Sequence, residues 1–358
     1  MKFDFCIGNP PYQTQTTENA NRQEPIYHHF LDAAYTVSDR VCLIHPARFL
    51  FNAGQTPTAW NKKMLADPHF TVLNYVVNAN EIFSNTDIKG GIAVTYRDTS
   101  KNFGPITLFI PYEELRSATA KVKSISTHFL SEVIYGQSNF CLDELYKDHP
   151  DFKSRIHSDG RSKQIRSSAF EKFPEIFIDV QDDDHQLKMY GIQNHSRQYK
   201  FVPEKYIEKS ANQDFYKVII PQANGSGAIG EVLSTPVMGT PVMGYTQSFI
   251  GVGAFNTEIE AINCLAYVKT KFARAMLGTL KITQNNAAPE IWSNVPLQDF
   301  TENSDIDWSK SITEIDQQLY KKYGLTEKEI DFIETKVRSM DDTVVEENDE
   351  EDGNAEIS

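Results

Sequence analysis

Asn9-Pro10-Pro11-Tyr12 closes the short apolar run Phe3–Ile7, and its residue types suit one demanding task. The Asn9 side-chain oxygen can accept one N–H of an exocyclic amine, and the Pro10 backbone carbonyl the other. Pulling on both protons drives a planar amino nitrogen toward tetrahedral geometry and frees its lone pair. The two prolines lock φ and remove competing donors. They also keep the preceding residues extended, so the loop is stiff before a substrate arrives. Tyr12 offers a flat face for a flipped-out base. Unstacking a base costs a few kcal/mol. Stacking on an aromatic ring returns roughly 1–3 kcal/mol, which offsets much of that cost. Asn-Pro-x-Tyr also occurs as a turn-forming peptide ligand, and Pro-Pro as an ordinary stiff turn. The strand-like run Lys2–Gly8 directly ahead argues against both, and Gly8 lets the backbone turn sharply toward a ligand.

The elements that position this loop follow from punctuation and periodicity. Residues 3–8, 40–45, 71–77 and 91–97 read as strands, with 105–112 as one more, and helical patterns lie at 25–37 and 58–66. Alternating strands and helices predict an α/β sheet. The Asn9 loop then sits at the carboxyl end of its strand, where open α/β sheets bind ligands. Residues 1–112 form this catalytic part, 113–150 a helical linker, 151–300 an α+β domain and 301–340 C-terminal helices. A long helix is predicted over 257–280, opened by a Thr257/Glu260 capping box. Asp307-Trp308-Ser309 opens a further helix, Gly324 closes it, and Thr326 caps the next. Thr235–Gly239 repeats directly as Thr240–Gly244. One repeat of this length is too short for a solenoid and reads as a local loop duplication.

Phe3–Tyr12 (Phe-Asp-Phe-Cys-Ile-Gly-Asn-Pro-Pro-Tyr) resembles the catalytic motif of N6-adenine DNA methyltransferases. More narrowly, it resembles the restriction–modification methylases that fuse a methyltransferase to a target-recognition domain. Ile26–Ala34 is similar to the helix that follows, and Leu43–Leu50 to the next strand with its Pro-containing exit. Asn85–Val94 is similar to the loop and strand that close over the adenine, with weaker similarity at Lys281–Gln284 and Val295–Phe300. The resemblance implies a partial Rossmann-like methyltransferase sheet followed by an α+β target-recognition domain. It implies double-stranded DNA as substrate and S-adenosylmethionine as cofactor. Asn9 and Pro10 would polarise the amine of an extruded adenine, Pro11 would fix the loop and Tyr12 would stack.

One departure stands out. Such enzymes usually carry, ahead of this motif, a half-sheet with a Gly-rich loop that binds S-adenosylmethionine, and here Met1 lies almost on the catalytic strand. Gly225-Ser226-Gly227-Ala228-Ile229-Gly230 satisfies G-x-G-x-x-G, but Pro236 comes too soon for a crossover helix. No ribose-binding acid follows in a strand about 20 residues on. It reads as a glycine turn, and Gly251-Val252-Gly253 is weaker still. The expectation is a partner chain that supplies the cofactor half, such as the nuclease–helicase subunit of a restriction system. The alternative is a DNA-recognition subunit that does not methylate.

The net charge of −14 opposes DNA binding, but nine of those acids crowd into residues 341–358 without a Lys or Arg. That tail is expected to be disordered. DNA attraction depends on local patches, because salt screens charges beyond ~10 Å. Lys153, Arg155, Arg161, Lys163, Arg166 and Lys172 form one patch, read as phosphate-contacting rather than as a solvated loop. Arg197, Lys200, Lys205 and Lys209 could extend it. Lys89-Gly90-Gly91 is a candidate substrate contact or an ordinary turn into a strand. His28-His29 reads as a helix-face pair, His45 as a structural histidine, and Phe49 and Phe83 as core. The four cysteines lack metal spacing and read as reduced thiols. No metal is expected, since methyl transfer from a sulfonium needs none and positioning supplies the catalysis. No apolar run approaches ~20 residues, and no signal-peptide pattern is present, so a cytoplasmic protein is expected.

Overall fold

Pro10 and Pro11 cannot donate to a ladder, so the first strand stops short of them. In the computed structural model this strand, β1, is Cys6–Gly8. Residues 2–14, 24–51, 54–83, 88, 90–106, 108–156, 160–225, 229–281 and 283–340 are described. Lys89, Asn85–Asp87, Ser226–Ala228 and the acidic tail at 341–358 lie outside the described residues. The chain divides into two compact units, Met1–Glu113 and Glu114–Ser358.

The first unit is a mixed α/β layer. After β1 come α1 (Tyr27–Val37), β2 (Arg40–Pro46), α2 (Thr58–Ala66), β3 (Phe70–Val76) and β4 (Ile92–Asp98). The strand order is β1-β2-β4-β3. β1 runs parallel to β2 (Cys6↔Val41, Gly8↔Leu43), whereas β4 is antiparallel to both β2 and β3. Consequently the Asn9 loop, the exit of β2 at Pro46, the exit of β3 at Val76 and the start of β4 at Ile92 share one edge of the sheet.

One face of this sheet is buried. Val41, Leu43 and Ala93 pack with Tyr27, Leu31 and Ala34 of α1, Trp60 and Met64 of α2, and Phe49 and Phe70. The register puts Ile7, Cys42 and Tyr96 together on the opposite face. There Ile7 is 78% exposed and Phe5 45%, with Phe5 stacked on Tyr96 at 6.1 Å. β1 pairs with β2 alone among the described residues, so its outer backbone edge is open. The extra strand expected at 105–112 is absent among the described residues. Gly104, Pro105 and Pro111 interrupt the run, which instead sends Phe109 and Ile110 into buried positions.

The second unit is an α+β body that opens within α3 (Glu113–Ile125). Residues 113–150 also provide β5 (Ile134–Tyr135), β6 (Asn139–Phe140) and α4 (Leu142–Asp148). Two short helices, α5 (Phe152–Arg155) and α6 (Ala169–Lys172), precede β7 (Leu187–Gln193), β8 (Ser196–Val202) and β9 (Ile207–Glu208). Then come β10 (Tyr216–Pro221), β11 (Val237–Gly239), β12 (Met243–Tyr245) and β13 (Phe249–Phe255). The sheets are β11-β10-β13-β5, β12-β7-β8 and β6-β9. The duplicated pentapeptide is therefore not simply a loop. Its first copy supplies β11 to one sheet, and its second leads into β12 of another.

The long helix expected at 257–280 is two helices, α7 (Glu258–Lys269) and α8 (Lys271–Gly278). Thr257 and Glu260 do form the capping box that opens α7. Thr270 breaks the helix with ψ 149° and caps α8 by accepting from Ala273 N. α9 (Ile312–Lys322) is opened by Ser311 rather than by Asp307, because Ser311 and Glu314 complete a capping box. α10 (Glu327–Lys336) is capped by Thr326 as the sequence predicts.

Candidate functional site

Beyond β1 the chain projects Asn9 and Pro11 into solvent, with Pro10 and Tyr12 half-buried. No donor among the described residues reaches the Pro10 carbonyl, so this acceptor is unspent. The exit from the motif is anchored: Ile26 N donates to Tyr12 O at 3.0 Å and Thr14 N to Glu24 O at 2.9 Å. The Tyr12 hydroxyl is buried without a regular hydrogen bond. Burial raises its pKa, and the neighbouring Asn9 carboxamide opposes the rise. The tetrapeptide is thus an open, acceptor-bearing ledge at the carboxyl end of β1, and not a closed pocket.

Gly90 and Gly91 reach the same edge. Both glycines have positive φ (87° and 76°). A methyl group on Gly91 would overlap the Val76 carbonyl, and one on Gly90 the Arg48 stem. Their smallness is therefore used against the protein itself. Ala47 N donates to Gly91 O at 3.0 Å, which ties this turn to the exit of β2.

Beneath the edge lies an aromatic cluster. His45 is fully enclosed, with Nδ1 3.0 Å from Pro46 O and Nε2 2.7 Å from Thr95 Oγ1. A carbonyl only accepts, so Nδ1 carries the proton and Nε2 accepts from the Thr95 hydroxyl. Burial pushes its pKa down to about 4, with the Pro46 carbonyl opposing. This is the structural histidine that the sequence suggests. Phe49 is wholly buried and packs on His45, Tyr27 and Trp60, so it belongs to the core. Rings of His28 and His29 lie 3.9 Å apart on α1.

The basic segment is less free than its sequence suggests. Arg155 pairs with Glu175 at 2.8 Å and Asp151 at 3.4 Å, and its guanidinium lies 4.4 Å from the Phe152 ring centre. The Glu175 carboxylate beside it raises its pKa. Lys163 pairs with Glu208 at 2.6 Å, and Lys153 sits 5.6 Å from the Tyr146 ring centre. Arg161 is exposed. Arg155, Arg166 and Lys172 converge on one small cavity with Ser162, Gln164 and Ser168. Arg197 donates to the Ser234 and Thr235 carbonyls, while Lys200, Lys205 and Lys209 pair with Asp179, Asp148 and Asp214. These four contribute to the fold's own ion pairs and turns.

The described glycines of the G-x-G-x-x-G run are likewise committed. Gly225 lies against Glu231, and Gly230 lies against the Lys336 carbonyl and accepts from Arg338 N. These residues do not form a nucleotide cradle. Two features of this edge lie outside the motif itself: Arg48, whose signal in the sequence is a cation just past Pro46, and the period-2 exposure of Phe3, Phe5 and Ile7.

Comparison with known proteins bears on the first unit. Residues 1–83 match the Eco57I restriction-modification methylase family model. Over 95 residues the chain is 28% identical to an uncharacterized adenine-specific methylase of Mycoplasma pneumoniae, a stretch that is 26% of this chain and 22% of that relative. Among solved structures, the type IIG restriction endonuclease BpuSI aligns with 88% of this chain and 50% of its own (TM-score 0.34, 12% identity). The type IIL restriction-modification enzyme MmeI, in complex with DNA, aligns with 93% and 56% (TM-score 0.35, 8% identity). The chain spans about a fifth of that curated relative and about half of each solved chain. The similarity to restriction–modification methylases thus lies in the unit that holds Asn9–Tyr12. Among the described residues, no helix is long and apolar enough to cross a membrane.

Proposed function

We propose that this chain is the catalytic and target-recognition portion of a site-specific N6-adenine DNA methyltransferase of a restriction–modification system. The observation that carries the reading is the placement of Asn9-Pro10-Pro11-Tyr12 at the carboxyl end of a strand parallel to its neighbour, with the Pro10 carbonyl unspent. Asn9 and the Pro10 carbonyl take the two amino protons of an extruded adenine, Tyr12 stacks on its ring, and Pro11 keeps the loop rigid. Gly90 and Gly91 border this site, and Lys89 is assigned to substrate contact on the sequence resemblance alone. Lys153, Arg155, Arg161, Lys163 and Arg166 form the surface that meets DNA phosphates.

The described glycines of the G-x-G-x-x-G run, Gly225 and Gly230, pack against Glu231 and the Lys336 carbonyl, and on this reading the chain's part is to hold and polarise the acceptor. We assign the donor half to a partner chain. The strand order β1-β2-β4-β3 reads as one half of a Rossmann-like methyltransferase sheet. Its open β1 edge and exposed Phe5 and Ile7 support completion by another half-sheet. The test is DNA methylation by the purified chain with and without the neighbouring gene product. Methylation only in the combined reaction is expected. Strong methylation by the chain alone defeats the split-enzyme reading. Sequence-specific cutting by a partner without any methylation favours a recognition subunit instead.

A further inference from the structure

Arg48 is the first residue of the 3-10 turn Arg48–Phe51, immediately past the exit of β2 and at the same sheet edge as the Asn9 loop. Its neighbours Phe49 and Leu50 are buried and fix the turn. Two glycines of positive φ clear a path for its stem. A methyl on Gly54 (φ 95°) would lie 3.2 Å from Arg48 Cβ, and one on Gly90 (φ 87°) would overlap Cγ and lie 3.2 Å from Cδ. The side chain is therefore held in one direction by residues from two separate loops.

Among the described residues the head of this side chain has no counter-ion. Arg48 is half-buried, yet no hydrogen bond or ion pair with a described residue reaches its guanidinium. Its charge is felt by Tyr27, whose phenol is pushed up to about 12 by burial while the Thr56 hydroxyl and Arg48 oppose the rise. A guanidinium cannot shed its proton, and a partly desolvated charge is costly until it is paired. A guanidinium whose stem is held in one direction, with no counter-ion among the described residues, calls for an anion. At this edge, on the function proposed above, the anion that must approach for a base to reach Asn9 is the DNA backbone. The planar guanidinium fork matches a phosphate's paired oxygens.

We infer that Arg48 binds a DNA phosphodiester next to the extruded base, and that Gly90 serves this contact by making room for the Arg48 stem. The inference rests on the DNA-methyltransferase reading. It is tested by fluorescence anisotropy of the full chain with labelled mixed-sequence duplex DNA over a range of KCl. Arg48→Gln should bind roughly tenfold more weakly at low salt. It should also reduce the slope of log K against log salt by about 0.9, the loss of one phosphate contact. Arg48→Lys should keep the slope, because the charge remains. Gly90→Ala should copy Arg48→Gln while its circular dichroism stays native. Unchanged affinity and slope in Arg48→Gln, with the wild-type chain binding normally, overturn the inference and leave the proposed function standing. Failure of the wild-type chain to bind DNA overturns both.

Discussion

The His45 imidazole lies flat on the Tyr27 ring, with centroids 5.6 Å apart and planes 5° from parallel. This stack joins α1 to β2 directly beneath the Asn9 edge, and it holds only while His45 is neutral. The enclosed ring has no acid partner among the described residues, and its folded-state pKa is about 4 against an ordinary 6.5. Between those values the unfolded chain binds a proton that the folded chain excludes. Stability is therefore complete above pH 6.5 and lost as pH falls through 4, by about 3 kcal/mol in total. Urea unfolding at pH 7.5 and 4.5 should show this loss for wild type and a smaller one for His45→Gln. Equal losses in the two proteins would refute the assignment.

Gly91 and Gly104 separate backbone strain from collision. Both have positive φ, 76° and 80°, but a methyl on Gly104 meets nothing within 4 Å. Gly104→Ala should cost about 1–2 kcal/mol, the price of a left-handed alanine. At Gly91 the added carbon overlaps the Val76 carbonyl and lies 3.1 Å from Val77 Cα, and neither atom can move without disturbing β3. Gly91→Ala should cost roughly 3 kcal/mol or more. Thermal unfolding of the two variants should rank them in that order, and a reversed rank would show that the turn is not wedged against β3.

These outcomes also mark what the sequence could reveal. The helix at 58–66 and the Thr257, Thr326 and Gly324 boundaries were legible because capping and breaking act over a few residues. β2 was legible because Val41, Leu43 and His45 alternate with more exposed neighbours. Residues 105–112 misled because apolar content outweighed the two prolines. Thr270 was missed because a threonine inside an apolar helix pattern carries no visible break. At the site, the acceptor loop could be read from four adjacent residues. The seating of Arg48 could not, since Gly54 and Gly90 meet it only after folding. Pairing of Arg155 with Glu175 across 20 positions was equally hidden.

Asn9→Ala should distinguish a methyltransferase from a recognition subunit. Asn9 is exposed and makes no contact on which the core depends, so folding and specific DNA affinity should stay within about twofold, in line with ordinary surface substitutions. Loss of one amine acceptor should lower the partner-supported methylation rate by roughly 10²–10³, the usual cost of deleting a single transition-state hydrogen bond. Rate constants and binding isotherms measured on the same preparation settle it. A variant that methylates at the wild-type rate removes Asn9 from the mechanism.

The open face of β1 supplies the sharpest test of the partner. Ile7 is 78% exposed, and its register neighbours Cys42 and Tyr96 are only half-buried. A monomer gains nothing from an exposed isoleucine beside an exposed phenylalanine on an unpaired strand edge, and such edges invite pairing with another chain. Ile7→Glu should therefore alter the unfolding midpoint of the isolated chain by no more than about 0.5 kcal/mol in stability. It should nevertheless abolish co-purification with the cofactor-bearing partner, because a carboxylate buried in that contact has no cation to meet. Val41→Glu, on the buried face of the adjoining strand, should instead unfold the unit. If the complex forms undiminished with Glu at position 7, the partner binds elsewhere and β1 remains a true edge.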